Sequence, residues 1–255
     1  MKNKVIQGDC LEVMKDIPDK SVDMILCDLP YSIKDRNRVT GNKWDLPVDI
    51  DLLWEHYKRI IKDDGCIALT ASQPFASYLV NSNIDMFKYD WIWEKDNGTN
   101  FTSINYQPFR SHESIIIFSK GATTFTKQGG YMKYNPQKTV GKSYTCKSGR
   151  KTDNLQGGDT SGWITKNDGS RHPKTVQKFN RDKNKLHPTQ KPVALFEYLI
   201  KTYTNEGDLV LDNCAGSGTT GVACKNLNRN YILIEKEPEY IDIINKRLDI
   251  LNQYK

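Results

Sequence analysis

Within residues 208–221 a short apolar run is followed directly by an acid, a polar turn and three glycines. The run Leu-Val-Leu ends at Asp212, and Gly216, Gly218 and Gly221 then have the spacing G-x-G-x-x-G. Glycines let a backbone turn sharply and approach a ligand closely, because no Cβ occupies the space. The pattern therefore predicts a strand, a ligand-binding turn and the first turn of a helix.

The residues around this turn indicate which kind of ligand it would take. Glu235 follows the next apolar run, where a carboxylate can accept hydrogen bonds from ribose hydroxyls. A dinucleotide site fits the same pattern, but Asp212 would repel a pyrophosphate and would attract the amino group of a methionine moiety. Only 34 residues follow Gly221, which is too few to complete a dinucleotide-binding fold unless the chain is permuted. A tight structural turn without a ligand is the remaining alternative.

A second acid-containing turn, Asp28-Leu29-Pro30-Tyr31, follows the apolar run Val22 to Cys27. The exocyclic amine of adenine is a poor nucleophile because its lone pair is delocalised into the ring. A carboxylate and a backbone carbonyl that each accept one N–H would draw that lone pair out, and an aromatic ring could stack on a base outside the duplex. Asp28, the Leu29 carbonyl and Tyr31 supply these parts, and Pro30 stiffens the turn. A plain strand-to-loop turn is the alternative for this tetrapeptide alone.

The elements that would position these turns alternate between strand and helix patterns, which is typical of a mostly parallel sheet covered by helices. Seven strands are predicted, at Lys4 to Gln7, Val22 to Cys27, Cys66 to Ala71, Tyr89 to Trp93, Ser114 to Phe118, Asp208 to Leu211 and Tyr231 to Ile234. Six helices are predicted, at Cys10 to Lys15, Ile50 to Ile61, Pro74 to Val80, Val193 to Tyr203, Thr219 to Asn226 and Pro238 to Leu251. Because ligands of such sheets bind beyond the carboxyl ends of the strands, we expect Asp28, Asp212 and Glu235 at one edge of one sheet.

The segment 121–186 differs from the rest of the chain in charge and composition. It holds 14 lysines and arginines against 4 aspartates, whereas the other residues hold 23 against 27 aspartates and glutamates. Nine of the 17 glycines lie in it, and aromatic residues are scattered among its cations. Such a stretch can bind phosphate backbones and reach base edges, and a solvated surface loop is the alternative. Its candidate nucleic-acid contacts are Lys133, Lys138, Lys142, Arg150, Lys151, Arg171 and Lys174.

Composition excludes several other classes of protein. With 37% hydrophobic residues and a net charge of +6 over 255 residues, the chain is not disordered throughout, and one domain with an insertion is expected. No run approaches the roughly 18 apolar residues of a membrane-spanning helix, and no secretory core begins the chain, so we expect a cytoplasmic protein without a membrane partner. The six cysteines form no C-x-x-C pair and the four histidines lack helical metal-ligand spacing, so neither a disulfide scaffold nor a metal site is predicted.

The motifs and their order resemble the DNA amino methyltransferases that use S-adenosylmethionine, in the permuted order called the beta group. In that group an Asp-Pro-Pro-Tyr-type catalytic motif comes first, a target-recognition segment follows and the glycine-rich cofactor motif comes last. Asp28 to Tyr31, the basic segment 121–186 and Asp212 to Gly221 have the same order here. Leu29 replaces the first proline of the motif. Because the mechanism uses the backbone carbonyl of that residue, we expect the chemistry to survive.

The resemblance implies roles for further residues. Asp9 would accept from the amino group of the cofactor's adenine, and Thr189 and Lys191 would lie near its methionine carboxylate. The implied cofactor-binding residues are Asp9, Cys10, Asp28, Thr189, Lys191, Asp212, Asn213, Ala215, Gly216, Ser217, Gly218, Thr219, Thr220 and Glu235, and the implied catalytic residues are Asp28, Leu29, Pro30 and Tyr31. Residues Ser72 to Phe75 resemble a segment that lines the pocket. Trp93-Glu94-Lys95 and Ser111-His112-Glu113 also resemble family positions that follow strands, although ordinary polar strand ends explain these residues nearly as well.

The resemblance implies a Rossmann-like methyltransferase fold, with a catalytic domain formed by residues 1–120 and 187–255 and a recognition insertion at 121–186. The expected reaction transfers a methyl group from S-adenosylmethionine to N6 of an adenine flipped out of duplex DNA. Cytosine N4 is the nearest alternative, but the acid in the tetrapeptide is commoner among the family's adenine enzymes. A homodimer and a cognate restriction endonuclease stay open as further partners. An RNA or protein-amide methyltransferase, a non-catalytic nucleic-acid binder and a dinucleotide oxidoreductase also stay open as activities of the chain.

Overall fold

The protein is represented by a computed structural model that describes residues 2–33, 46–124, 130–147, 162–183 and 190–253. Its strands are β1 (Lys4–Gln7), β2 (Val22–Cys27), β3 (Ile61–Ala71), β4 (Phe87–Glu94), β5 (His112–Phe118), β6 (Thr139–Val140), β7 (Tyr144–Lys147), β8 (Ile164–Asn167), β9 (Ser170–Arg171), β10 (Val176–Lys178), β11 (Leu209–Asp212) and β12 (Asn230–Glu235). Its α-helices are α1 (Cys10–Val13), α2 (Ile50–Ile60), α3 (Phe75–Ser82), α4 (Val193–Tyr203), α5 (Thr219–Asn226) and α6 (Pro238–Gln253). Short 3₁₀ turns cover Met14–Asp16 and Phe101–Ser103.

Eight of these strands form one sheet in the order β1-β12-β11-β2-β3-β5-β4-β10. Neighbouring strands are parallel except around β5, which runs antiparallel to both β3 and β4. All seven predicted strands lie in this sheet, with ends shifted by a few residues. The count of seven was one short, because β10 comes from the segment that we expected to be inserted outside the sheet. Its three residues, Val-Gln-Lys, are too few and too polar to show a strand period.

Apolar side chains cover both faces of the sheet. Strand β2 is buried along its whole length, and its residues alternate between two core clusters. Ile25 and Cys27 pack in the cluster that contains the apolar residues of α2 and α3, whereas Met24 and Leu26 pack in the cluster of α4 and α5. Because successive strand residues point to opposite faces, this alternation produces the predicted helix–sheet–helix layers.

Helix α2 shows how local sequence fixes the position of an element. Asp49 caps its first turn, where the Asp49 carboxylate accepts hydrogen bonds from the backbone N–H groups of Asp51 and Leu52. The buried residues Ile50, Leu53, Trp54, Tyr57 and Ile60 recur at helical spacing and face the core. The helix ends at Ile60, and β3 begins at the next residue.

The chain divides into two compact units. The larger, Met1–Asn135 with Thr175–Lys255, contains the eight-stranded sheet, and the smaller is Pro136–Lys174. In the smaller unit β6 pairs with β9 and β7 pairs with β8, both antiparallel. This unit covers fewer residues than the predicted insertion 121–186, since Met132 lies in the core of the larger unit and β10 lies in the sheet of that unit. The recognition role of residues 121–186 stays a prediction.

Three further features concern membrane spans, thiols and metal ligands. No helix within the described ranges is both long and apolar enough to cross a membrane. All six cysteines are free thiols. No group of three or more His, Cys, Asp or Glu side chains in the described part of the chain is arranged to hold a metal ion.

Candidate active site

The carboxyl ends of four parallel strands, β1, β2, β11 and β12, border one cavity of about 870 Å³ in the larger unit. The residues that directly follow or end these strands line it, including Asp9, Asp28, Asp212 and Glu235. The three acids that we expected at one edge of the sheet are therefore together. This is where ligands bind in open parallel sheets.

The glycine-rich turn fixes the start of α5 at the cavity wall. Gly218 has φ +78°, a left-handed conformation, and a Cβ at this position would lie 2.9 Å from Ile244 Cγ1. A Cβ at Gly221 would lie 2.6 Å from Leu233 Cδ1. Gly216 lines the cavity itself. The glycines thus allow the backbone to turn and α5 to pack closely, as the spacing predicted.

Backbone N–H groups hold Glu235, which lines the cavity with Asp9 and Asp212; we call this part of the cavity the cofactor end after its expected ligand. One carboxylate oxygen, Oε2, accepts from the N–H of Gly216 at 2.7 Å. The other, Oε1, accepts from the N–H groups of Lys236 and Glu237 at 2.8 and 2.9 Å. Burial raises the pKa of Glu235, although these three hydrogen bonds act in the opposite direction. The result is a fixed carboxylate whose orientation depends on the glycine turn.

Asp9 also depends on local backbone contacts. Its Oδ1 accepts from the N–H of Leu11 at 3.0 Å and caps α1, while Oδ2 lies 3.4 Å from the ammonium of Lys236. The carboxylate lines the same cavity as Glu235. It is therefore available to a ligand at the end of β1.

Asp212 is the most buried acid of the cavity, with 3% of its surface exposed. Its Oδ1 accepts from the N–H of Cys214 at 3.1 Å, and Oδ2 accepts from the hydroxyl of Thr220. Burial raises the pKa of Asp212 to about 7, against the effect of these hydrogen bonds, and the nearby Asp28 charge adds to the rise. A cation placed in the cavity beside Asp212 would stabilise its carboxylate form.

Side chains from the same turn and from two other segments hold Asp28, and we call the part of the cavity around Asp28 and Tyr31 the catalytic end after its expected role. The hydroxyls of Tyr31 and Thr70 donate to Oδ1, the former at 3.0 Å, with Thr70 contributed by β3. The ammonium of Lys191, just before α4, donates to Oδ2 at 2.7 Å. The carboxylate is therefore fixed mainly by donors that are distant from it in the sequence.

Lys191 belongs to a buried set of charges that also includes Lys95 and Glu113. Its ammonium lies 3.3 Å from Glu113 Oε2, while Lys95 pairs with the other Glu113 oxygen. The Lys95 and Lys191 side chains are only 5% and 7% exposed. Burial lowers the pKa of Lys191, but Asp28 and Glu113 outweigh burial and raise it; for Glu113 the two lysines outweigh burial and lower its pKa. Lys191 and Glu113 are both charged at neutral pH.

Tyr31 lies half-buried beside Asp28. Its ring stacks on that of Phe75, with centroids 5.4 Å apart and planes at 21°, and the Lys191 ammonium lies 5.5 Å from its centroid. Burial raises the pKa of the Tyr31 hydroxyl well above its ordinary value, and the charges of Asp28 and Glu113 add to this effect. The phenol therefore stays protonated and donates a hydrogen bond to Asp28.

Most of the sequence-predicted site residues line this one cavity. They are Asp9, Cys10, Asp28, Leu29, Pro30, Tyr31, Lys191, Asp212, Asn213, Ala215, Gly216, Ser217, Thr219 and Glu235. Gly218 and Thr220 do not line the cavity. Gly218 forms the turn at the start of α5, and Thr220 donates a hydrogen bond to Asp212. Thr189 lies outside the described residues. The structure brings these positions together and leaves their roles as predictions.

Three observations change or extend the sequence interpretation of the site. Lys191 pairs with Asp28 and Glu113, and its expected place near a methionine carboxylate stays a prediction. Lys95 and Glu113, which ordinary strand ends explained nearly as well, belong to the same buried set of charges. Thr70 was missed, because a threonine at the end of an apolar strand carries no local sign that it contacts Asp28.

The candidate DNA contacts fall into three groups. Lys133 lies in the larger unit, where it pairs with Asp208 at 2.7 Å and Asp23 at 3.4 Å, so its charge is used within the fold. In the smaller unit Arg171 is half-buried, donates to the Lys142 carbonyl and lies over the ring of Tyr144. Lys138, Lys142 and Lys174 are exposed. Arg150 and Lys151 lie outside the described residues.

The carboxylates at the cofactor end fit a ligand that carries an ammonium group and ribose hydroxyls. Asp212 offers a desolvated carboxylate to a cation, and Glu235 keeps lone-pair capacity beyond its three backbone hydrogen bonds. Both line the cavity with the glycine turn between them in sequence. S-adenosylmethionine has these groups, so the residues present fit the cofactor that the resemblance implies.

Known proteins resemble this chain along nearly its whole length. M.HpaI, a type II methyltransferase of Haemophilus parainfluenzae, is 31% identical over 261 residues, which cover 98% of this chain and 75% of that protein. The structure of the M1.HpyAVI–SAM complex superposes with a TM-score of 0.61 at 25% identity, covering 96% of this chain and 98% of the other. The cytosine-N4-specific PvuII DNA methyltransferase superposes with a TM-score of 0.68 at 18% identity, covering 97% and 86%.

These likenesses confirm the predicted Rossmann-like methyltransferase fold. The PvuII enzyme, at 18% identity, supports the fold alone. Residues 22–246 match the family described as DNA methylase, whose name joins N6 and N4 methylation. The match spans the Asp28 tetrapeptide, the basic segment and the glycine turn. The chain therefore belongs to the N6 and N4 DNA methylase family, as a DNA amino methyltransferase of the beta group.

Proposed function

We propose that this protein transfers a methyl group from S-adenosylmethionine to N6 of an adenine extruded from duplex DNA. The observation that carries the proposal is the fixed carboxylate of Asp28 at the cavity wall, followed in sequence by the Leu29 carbonyl. Tyr31, Thr70 and Lys191 hold that carboxylate by hydrogen bonds. A preorganised acceptor of this kind can bind an amine without reorganising during the reaction.

The cofactor end of the cavity would hold S-adenosylmethionine, the ligand of the M1.HpyAVI–SAM complex. When bound, this cofactor supplies an electrophilic methyl group on a sulfonium centre. Asp212 would hold its ammonium group, Glu235 would accept from its ribose hydroxyls, and Asp9 would accept from its adenine amino group. Each of these carboxylates lines the cavity.

The catalytic end would make the target amine nucleophilic. Asp28 would accept one N–H and the Leu29 carbonyl the other, which localises the nitrogen lone pair. Lys191 keeps Asp28 oriented, and Glu113 and Lys95 keep Lys191 in place by buried ion pairs. A base whose amine reaches Asp28 would lie next to the Tyr31 ring, since the Tyr31 hydroxyl donates a hydrogen bond to the Asp28 carboxylate. Stacking on this ring would hold the extruded base.

Cytosine N4 is the second candidate target, because it needs the same two acceptors. The acid of the tetrapeptide favours adenine, since the resemblance associates an acid at this position with adenine enzymes. The likeness to the cytosine-N4 PvuII enzyme concerns the fold. Adenine N6 is therefore the target that we propose.

The smaller unit supplies the proposed contact with DNA. Lys138, Lys142 and Lys174 are exposed there, and Trp163 is 67% exposed. Cations that neutralise phosphates make DNA binding steeply salt-dependent. Exchanging residues 121–186 for the corresponding segment of another family member should change the DNA sequence that is methylated and leave cofactor binding intact. An unchanged methylation site in a folded exchange variant would refute the recognition role.

The proposed reaction is tested by sequencing DNA from cells that express the protein, with modified bases identified. We expect N6-methyladenine at one recurring sequence, and none in cells expressing Asp28→Ala. N4-methylcytosine at a recurring sequence would establish the second candidate instead. Unmodified DNA in cells with abundant folded protein would refute both.

A further inference from the structure

Residues 97–111, which we call the aromatic loop, connect β4 to β5 and expose several large apolar side chains. Tyr106 is 91% exposed, Phe101 62%, Ile104 51% and Phe109 41%. An isolated exposed apolar residue is ordinary, but a group of four on one loop marks a surface that meets another molecule.

The aromatic loop has a defined internal structure. The Asn100 side chain bridges it, donating to the Pro108 carbonyl at 3.1 Å and accepting from the Arg110 N–H at 2.6 Å. Phe101 and Phe109 pack edge to face with centroids 5.0 Å apart. Gly98 lies directly beneath Phe109, where a Cβ would come within 2.6 Å of the ring. The backbone of the loop and the Phe101 and Phe109 rings are therefore held in place before any partner binds, which lowers the entropic cost of binding.

The aromatic loop borders the cavity at its catalytic end. Strand β4 runs parallel to β3, because both are antiparallel to β5, so the loop leaves the same sheet edge as Asp28. Thr99 and Arg110 of the loop line the cavity together with Asp28 and Tyr31. An extruded base that reaches Asp28 would leave its neighbouring nucleotides near this surface.

The charge and side-chain chemistry of the aromatic loop suit a nucleic-acid strand. It contains no Asp or Glu, and its other side chains are largely amides and hydroxyls. Arg110 is exposed, and its guanidinium has no carboxylate partner within the described ranges. Aromatic rings stack on bases, and an arginine binds a phosphate through two parallel hydrogen bonds.

We infer that the aromatic loop binds the DNA strand beside the extruded base, with Tyr106 stacked on a neighbouring base and Arg110 on a phosphate. The inference rests on the proposed function. A second copy of the chain is the other candidate occupant. Because Thr99 and Arg110 of the loop line the cavity together with Asp28, the strand around an extruded base would lie beside the loop, so DNA is the occupant that the geometry favours.

The role of Tyr106 is tested by measuring the Kd for a duplex containing the target site, with S-adenosylhomocysteine present. Tyr106→Ala should weaken DNA binding about 10- to 100-fold, which is the range expected from stacking on one base. Tyr106→Phe, which keeps the ring, should bind within about twofold of the wild type. Ile84→Ala is the control, since Ile84 is 60% exposed and precedes β4 at the opposite edge of the sheet.

The role of Arg110 is tested by the salt dependence of the same affinity. Arg110→Gln should reduce the slope of log K against log salt by about 0.9, the value expected for one lost phosphate contact. Lys58→Gln, at an exposed position on α2, should leave the slope unchanged. Cofactor affinity by calorimetry should be the same in all these variants.

The outcomes separate the loop from the reaction. If the wild type methylates DNA and Tyr106→Ala binds DNA as tightly as the wild type, the inference is wrong and the proposed function stands. If Tyr106→Ala instead converts a dimer to a monomer in light scattering without weakening DNA binding per site, the occupant is a second copy and the inference is overturned. If the wild type modifies no DNA, the proposed function itself fails.

Discussion

Glu235 and Asp28, one from each end of the cavity, are held by different kinds of donor. At the cofactor end three backbone N–H groups hold Glu235: one from the glycine turn, at Gly216, and two from the residues that directly follow Glu235. At the catalytic end Asp28 is held by the side chains of Tyr31, Thr70 and Lys191, the last of them 163 positions away in the chain. The position of the Glu235 carboxylate therefore depends on local backbone geometry, whereas that of the Asp28 carboxylate depends on long-range packing.

This difference suggests that the two ends can be disturbed separately. The donors to Glu235 are backbone N–H groups, which substitutions other than proline leave in place, so the test of Glu235 changes the acid itself. The position of Asp28 can be altered through other residues, because Lys191 pairs with Asp28 and Glu113 pairs with Lys191. The predictions below separate the two ends, beginning with the largest effect.

Lys191 should be the most sensitive position outside Asp28. Lys191→Met leaves Glu113 and Asp28 short of a buried cation, and breaking a buried ion pair costs about 3–5 kcal/mol of unfolding free energy. Turnover should fall along with stability, and Lys191→Arg should recover part of both. Urea unfolding and single-turnover methylation measure these effects, with Lys201→Met, an exposed lysine near the end of α4, as the control.

A double variant sharpens this result. Lys191→Met combined with Glu113→Gln removes one charge of each sign. The loss of unfolding free energy in the double variant should therefore be smaller than the sum of the losses in the two single variants. Activity should not return, because Asp28 still lacks its Lys191 donor. Additive losses of stability would show that the Lys191–Glu113 contact is not energetically coupled.

Glu235→Ala should weaken cofactor binding and leave the catalytic end intact. It removes the acceptor for ribose hydroxyls and for the Gly216 N–H, and hydrogen bonds to a charged group are worth about 1.5–3 kcal/mol each. The Kd for S-adenosylhomocysteine should rise at least about tenfold. Calorimetry measures it, with Glu239→Ala in the exposed first turn of α6 as the control. An unchanged Kd would show that Glu235 does not bind the ribose.

Cofactor affinity should also depend on pH through Asp212. Burial raises its pKa to about 7, so the carboxylate needed to hold an ammonium group is mostly ionised above that pH and is lost as the pH falls below it. The affinity for S-adenosylhomocysteine should therefore drop about tenfold between pH 7 and pH 5.5, following the ionised fraction. Calorimetry in two buffers should detect proton release near pH 7, and Asp212→Asn should abolish it.

Tyr31→Phe should give the smallest change of this series. The ring and its stacking on Phe75 remain, and only the hydroxyl donor to Asp28 is lost, a contact to a charged group worth about 1.5–3 kcal/mol if Asp28 cannot reorient. Because Thr70 and Lys191 still hold Asp28, a loss of turnover of about tenfold or less is expected. Tyr31→Ala should lose more, since stacking on the base is also removed. Equal losses in the two variants would assign the whole effect to the hydroxyl.

The local and long-range character of the two ends also explains what the sequence could predict. Gly216, Gly218 and Gly221 indicate a turn because their effect on the backbone is local, and the apolar alternation around them is strong enough to locate strands and helices. The pairing of Lys191 with Asp28 follows from the way α4 packs on the sheet, which no nearby residue specifies. Lys133 was included among the candidate DNA contacts because it lies in the basic segment 121–186, yet its partner Asp208 lies 75 positions away. Strand β10 was missed because its pairing with β4, and not its composition, makes it a strand.

The most direct test of the central claim is to identify the product formed with an isotopically labelled methyl group. Duplex DNA is incubated with S-adenosylmethionine labelled at its methyl carbon and with wild-type protein or Asp28→Ala, then digested to nucleosides and analysed by mass spectrometry. We predict labelled N6-methyldeoxyadenosine from the wild type, and at least about a thousandfold less from Asp28→Ala, whose S-adenosylhomocysteine affinity should equal that of the wild type. Label found only in cytosine, or undiminished label in adenine with Asp28→Ala, would contradict the account.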